Sequence, residues 1–181
     1  MGQGVMQLFA RAKTWVERIA FGLICLLVLP LLLVILVVAL PFLLVGQYLD
    51  KWRRLRLRRA FEAKWGTSGK RGLLIYSNSP HWQHYIEERW LPQLEPHLVV
   101  LNWSERKLWR EQYPLEGEIF RRYLGDREFN PAAIVFPVNA EARVVRFWQP
   151  FRDFKHGRNR TLRAAEVELF GLLAGSTTVG A

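Results

Sequence analysis

Nine consecutive residues, Ser77-Asn78-Ser79-Pro80-His81-Trp82-Gln83-His84-Tyr85, gather most of the side chains in this chain that could do chemistry. Ser77, Asn78, Ser79, His81 and His84 supply two hydroxyls, an amide and two imidazoles. If they stand between a strand and a helix, the backbone N–H groups there also favour an anion. The same residues serve equally well as a helix cap with two surface histidines. Ser79 with His84 suggests a nucleophile and its base, but no G-x-S-x-G elbow surrounds the serine. His81 and His84, three apart, could share a metal, which would need a third protein ligand. His97, His156, Glu87 and Glu88 stand at no recognisable ligand spacing. Neither a P-loop nor a G-x-G-x-x-G motif is present. No catalytic residue, metal or cofactor is therefore expected.

The elements that position this loop follow from apolar patterning. Leu73–Tyr76 reads as a short strand and Trp82 to Leu94 as a helix with Tyr85, Ile86, Trp90 and Leu94 inward. Leu98–Trp103 is a second strand. Ser104 then caps a helix to Gln112, and Glu116–Leu124 is helical until Gly125 ends it. Ala132–Val138 and Arg143–Trp148 form a hairpin. Thr161–Leu173 is the last helix, with Leu162, Ala165, Leu169 and Leu172 inward. Between them, Arg146–Arg160 combines four aromatic side chains with basic ones, and reads either as a docking loop or as the hairpin's exit packed on the core.

Upstream lies the stretch that decides the protein's surroundings. Ile19 to Gly46 carries no charge over 28 residues, well beyond the roughly 18 that mark a membrane helix. A cleaved signal peptide is the shorter alternative, with an apolar core of about 7–15 residues. As one helix the run measures roughly 42 Å against a hydrocarbon core of about 30 Å, so a tilted span fits. Pro30 leaves a second possibility, a re-entrant hairpin bent there. Residues 1–18 form a short head, with Val5, Leu8, Phe9 and Trp15 suited to an interfacial helix. Residues 47–71 are a basic juxtamembrane helix and a glycine-rich linker, Gly66 to Gly72. Residues 72–174 are the folded domain, and 175–181 a disordered tail.

The net charge of +10 is unevenly placed. Residues 1–71 hold 12 Lys and Arg against 3 acids, and residues 72–181 hold 14 against 13. The basic excess thus flanks the apolar run, and a nucleic-acid partner is not expected, since that would call for the excess on the folded domain. Lys51, Arg53, Arg54, Arg56, Arg58 and Arg59 follow the run more densely than Arg11, Lys13 and Arg18 precede it, which places the C-terminal part in the cytoplasm. Tyr48 and Trp52 suit the headgroup zone, and Arg53, Arg54, Arg56, Arg58 and Arg59 suit anionic lipid.

The order β-α-β-α-β-β-α, with Asn130-Pro131 immediately before the third strand, resembles the thioredoxin fold across about residues 72–174. The resemblance implies a cis proline at Pro131 facing the start of the first helix, where it helps to bind a docked partner. One departure is decisive for chemistry. Where redox members carry Cys-x-x-Cys, this chain has Ser77-Asn78-Ser79-Pro80-His81-Trp82, and its one cysteine, Cys25, lies in the apolar run. Dithiol chemistry needs two thiols, so it is excluded. The expected protein is an α/β domain on an N-terminal transmembrane helix, integral to a membrane of the bacterial inner type. It would serve as a non-redox binding or assembly module for other membrane proteins, with anionic lipids as further partners. The alternative is a membrane-surface enzyme using the Ser77–His84 loop on an anionic or lipid-linked substrate.

Overall fold

The computed structural model describes residues 2–125 and 130–175, with side chains in the apolar stretch from residue 26 onward except 27, 31 and 41–43. The tail beyond Gly175 and the apolar side chains of the N-terminal head lie outside the described residues. Two compact units divide the chain, Met1–Lys51 and Trp52–Ala181.

The first unit is helical. Helix α1, Gly2–Trp65, is unbroken, so the bend at Pro30 does not form. A proline removes one backbone hydrogen bond from a helix, and the neighbouring turns carry the helix through. Among the described residues this is the one helix long and apolar enough to cross a membrane; its most apolar 18-residue window has a mean hydropathy of 3.2 and no buried residue.

The second unit is built on a four-stranded sheet, β1 (Gly72–Tyr76), β2 (Val99–Asn102), β3 (Ala132–Val135) and β4 (Arg143–Arg146), in the order β2-β1-β3-β4. β1 runs parallel to β2 and antiparallel to β3, and β3 runs antiparallel to β4. Every residue of β1 and β3 is buried, so both faces of the sheet are covered. Alternation along β1 divides the core. Leu74 and Tyr76 join Ile86, Trp90, Leu98, Phe147, Phe151, Leu162 and Leu169 on one face. Leu73 and Ile75 join Leu101, Trp109, Ile119, Phe120, Ile134 and Phe136 on the other.

The first face is covered by the helical arm of residues 83–94, by α6 (Trp148–Lys155) and by α7 (Arg160–Ala174). The arm consists of α2 (Gln83–Tyr85), a π turn over Ile86–Trp90 and α3 (Leu91–Leu94). Of the two readings of Arg146–Arg160, the hairpin's exit packed on the core is the one seen, and it is helical, as α6. Phe147 and Phe151, four apart, are buried, and that spacing is a helix's inward stripe. In α7, Leu173 is buried as well, and Leu172 packs half-buried against the same core.

The second face is covered by α4 (Trp109–Gln112), α5 (Pro114–Leu124) and the end of α1. Leu57 and Phe61 are buried among the strands' side chains, Phe61 completely. The end of the basic helix is therefore part of the core, and the compact unit begins at Trp52 rather than at residue 72. The glycine-rich segment is likewise structured. Gly66–Ser68 forms a 3-10 turn, Gly69 adopts a left-handed conformation, and Arg71 N donates to His97 O. Glu116, fully buried, accepts from Lys64 Nζ at 2.8 Å and from Trp65 Nε1 at 2.5 Å, tying α5 to the end of α1. Ser104 does not cap a helix. Asn102 does, accepting from Ser104 N at 2.9 Å at the start of a 3-10 turn, Trp103–Glu105.

Gly72 opens β1 at a point of close backbone approach, where an added Cβ would stand 2.0 Å from Ile134 O. The clash is with backbone inside the β1–β3 pair, so it cannot be relieved by a side-chain rotation. Gly72→Ala is expected to destabilise the protein by about 1–3 kcal/mol. Gly66→Ala, where a Cβ meets nothing within 4 Å, should stay within about 0.5 kcal/mol. Thermal melting of the detergent-solubilised full chain followed by circular dichroism checks both.

Candidate functional site

The Ser77–His84 loop leaves the end of β1 and enters the helical arm, as its composition implies, but its polar groups are largely engaged within the fold. Asn78 N donates to Ser104 Oγ at 3.1 Å, and Asn102 Nδ2 donates to Asn78 Oδ1 at 2.6 Å. The loop is thereby stitched to the end of β2. Ser79 accepts through its carbonyl from Trp82 N and Gln83 N, and through Oγ from His81 N at 3.4 Å. His84 Nε2 stands 3.1 Å from Glu88 Oε2, one turn on and exposed. Ser79 Oγ has no hydrogen bond to a histidine ring among the described residues, and no cluster of three metal-ligating side chains forms among them.

Pro131 is buried and Asn130-Pro131 is cis. The last β1–β3 pair is Ile75 with Ala132. One step further, Tyr76 and Pro131 come to the same end of the sheet, where the Ser77 loop departs. Pro131 O accepts from Phe147 N at 2.8 Å, so its acceptor is already engaged by the exit of β4.

The structure joins the two most suggestive stretches of the sequence. His81 and Trp82, from the loop, share a cleft of about 350 Å³ with Trp148, Arg152, Lys155 and His156, from α6 and its end. Phe151 forms part of its wall, 6.2 Å from the Trp82 ring. The Trp82 indole N–H is buried and has no hydrogen-bond partner among the described residues. Arg152 lies over the Trp148 ring at 4.6 Å. The cleft thus offers aromatic surface and cationic side chains, a setting for an anionic group on an apolar body. Sequence reading missed Trp82, Arg152 and Lys155 as one site. The signal available was the Phe147–Phe151 spacing, obscured by Pro150, which falls in the first turn of α6 where proline is tolerated.

Of the residues expected at a membrane surface, two are held by the fold. Arg58 donates to Pro137 O and Ala140 O in the β3–β4 turn and pairs with Glu62 at 2.7 Å. Arg54 lies over the Tyr123 ring at 5.1 Å. Arg53, Arg56 and Arg59 are exposed, as are Tyr48 and Trp52, with Arg56 over the Trp52 ring at 5.9 Å.

Tyr76, at the root of the loop, has its pKa pushed up to about 12, first by burial and then by Glu87, whose Oε1 accepts from its hydroxyl at 3.2 Å. Tyr85 is also raised, by burial and then by its hydrogen bond to Glu166. A raised tyrosine binds its proton more tightly folded than unfolded. Its contribution is complete below about pH 10 and is lost as pH rises toward about 12. Tyr76→Phe should lower stability at neutral pH by about 1–2 kcal/mol through the lost hydrogen bond, yet decline less between pH 10 and 12 than the parent. Melting temperatures of the two across that range check it; parallel curves would contradict it.

Comparison with protein families, with curated proteins and with solved structures finds no match for this chain.

Proposed function

We propose that this chain is a membrane-anchored, non-redox binding module of thioredoxin-like fold, held on the cytoplasmic face of the membrane, which docks other membrane proteins. The observation that carries the reading is the cleft that His81 and Trp82 form with α6. Of the other loop side chains, Asn78 Oδ1 accepts from Asn102, Ser79 Oγ accepts from His81 N, and His84 pairs with Glu88. A nucleophile must have its base within hydrogen-bond reach, whereas a docking cleft needs shape, apolar wall and a few polar groups. Support for the thioredoxin-like assignment comes from the strand order β2-β1-β3-β4 with β1 and β2 parallel, and from the cis proline before β3. Support for the anchor comes from the length and hydropathy of α1. The basic residues following the apolar run argue for the cytoplasmic side.

The docking reading is tested by recovering tagged full chain from detergent-solubilised membranes. Arg152→Glu with Lys155→Glu should abolish capture of the membrane protein recovered with the parent, because both cations line the cleft. Ser79→Ala with His84→Ala should leave capture unchanged. The reverse pattern would move the site to the loop and favour an enzyme acting there.

Orientation is tested separately by fusing reporters to the termini. A cytoplasm-requiring reporter placed after Ala181 should be active, and an export-requiring one silent. Activity of the export-requiring reporter would overturn the cytoplasmic placement. An export-requiring reporter before Met1 should be active, as a single span demands.

A further inference from the structure

A second hollow lies on the sheet face that α5 covers, enclosed by the segment after β2 and by α5 itself, with a volume of about 680 Å³. Four cations line it, Arg106, Lys107 and Arg110 from the segment after β2 and Arg121 from α5, against one carboxylate, Glu111. Arg106 and Arg110 are four apart. All four cationic residues are exposed, and none pairs with a carboxylate among the described residues. Trp103, Trp109 and Phe120 form the aromatic side, in mutual contact with ring centroids 5.0 to 5.7 Å apart. Arg106 lies over the Trp103 ring at 5.1 Å. Gly117 also lines it, and a Cβ there would meet Trp109 Cβ at 3.8 Å and Arg121 Nη1 at 3.9 Å.

We propose that this hollow binds a phosphate monoester carrying an apolar body. Like charges gathered around one concavity repel, and a multiply charged anion turns that repulsion into attraction. Guanidinium groups match phosphate oxygens in pairs, and a phosphate monoester carries close to two negative charges at neutral pH. A single carboxylate would leave most of the cationic surplus uncompensated. The volume exceeds what a bare phosphate fills and falls within the roughly 300–1,000 Å³ of small-molecule sites. The aromatic wall gives the rest of such a molecule an apolar surface to lie on. Two sources share this chemistry, the headgroup of a phosphatidic-acid-type lipid and a soluble phosphate ester. The site stands apart from the His81 cleft and does not depend on the docking reading.

The test is calorimetric titration of the full chain in dodecyl maltoside with dioctanoyl phosphatidic acid, phenyl phosphate and inorganic phosphate as probes. Saturable binding of at least one of the two esters, tighter than inorganic phosphate, is expected. Binding of the lipid alone identifies a lipid headgroup, and binding of phenyl phosphate as well admits a soluble ester; each supports the site. Arg106→Ala and Arg110→Ala should each weaken binding about tenfold. Gly117→Leu, which projects a side chain into the hollow beside Trp109 and Arg121, should weaken it. The control Arg143→Ala with Arg163→Ala, exposed arginines outside the hollow, should leave it unchanged. Absence of saturable ester binding overturns the proposal, as does inorganic phosphate binding as tightly as the esters. So does ester binding that survives Gly117→Leu and both single arginine variants, or that falls equally in the Arg143/Arg163 control.

Discussion

Strand β1 has no solvent face, and the rest of the second unit is arranged around that constraint. Its five residues are all buried, so side chains from both faces of the sheet must be covered by other elements. A short sheet of this kind cannot bury two apolar faces by itself. Helices from widely separated parts of the chain therefore converge on it: residues 83–94 with α6 and α7 on one side, α4 and α5 with the end of α1 on the other. The covering is also what creates the concave surfaces. The His81 cleft forms where α6 packs beside the loop leaving β1, and the cation-lined hollow forms where α5 packs beside the segment leaving β2.

Burial of polar groups in this arrangement is selective. Glu116 is fully buried and holds Lys64 and Trp65. Glu166 Oε1 accepts from both Tyr85 OH and Trp90 Nε1. Each carboxylate is charge-assisted in the hydrogen bonds it receives, and each joins helices that the apolar contacts alone would leave free to slide. The second pair fixes the arm of residues 83–94 against α7. That in turn holds the beginning of the arm, with His81 and Trp82, at a set position relative to α6. Arg58 plays a comparable part for the end of α1, since its guanidinium bridges to the carbonyls of the β3–β4 turn. An arginine that reads as lipid-facing in a basic run thus serves a structural purpose, because a fork of donors finds two backbone carbonyls within reach.

Much of this was legible in the residues themselves. The uncharged run of Ile19–Gly46 is long and apolar enough to cross a membrane by length and composition alone. Strands β1 to β4 follow from short apolar runs bounded by turn residues, and Gly125 and Asn139 mark turns through their positive φ. The absence of any cysteine beyond Cys25 excludes dithiol chemistry whatever the fold. The Ser77–His84 loop was recognisable as the connection between a strand and a helix, because Ser, Asn and Pro cluster where periodicity changes.

What tertiary structure decided was which side chains meet. Local patterning reports the face a residue occupies on its own element, not the partner opposite. Leu57 and Phe61 went unremarked in the basic helix, and only the second face of the sheet explains their burial. Pro150 and the surrounding charges disguised α6, and its register became visible once Phe147 and Phe151 had a core to enter. Asn102, rather than Ser104, caps the turn after β2, since the end of that strand brings its amide within 2.9 Å of Ser104 N. The two concave sites are the clearest case. Each combines residues more than ten positions apart in sequence, His81 with Arg152 and Arg106 with Arg121, and no periodicity links them. Sequence determined the materials and the long apolar helix; long-range packing against β1 determined where the charges and rings come together.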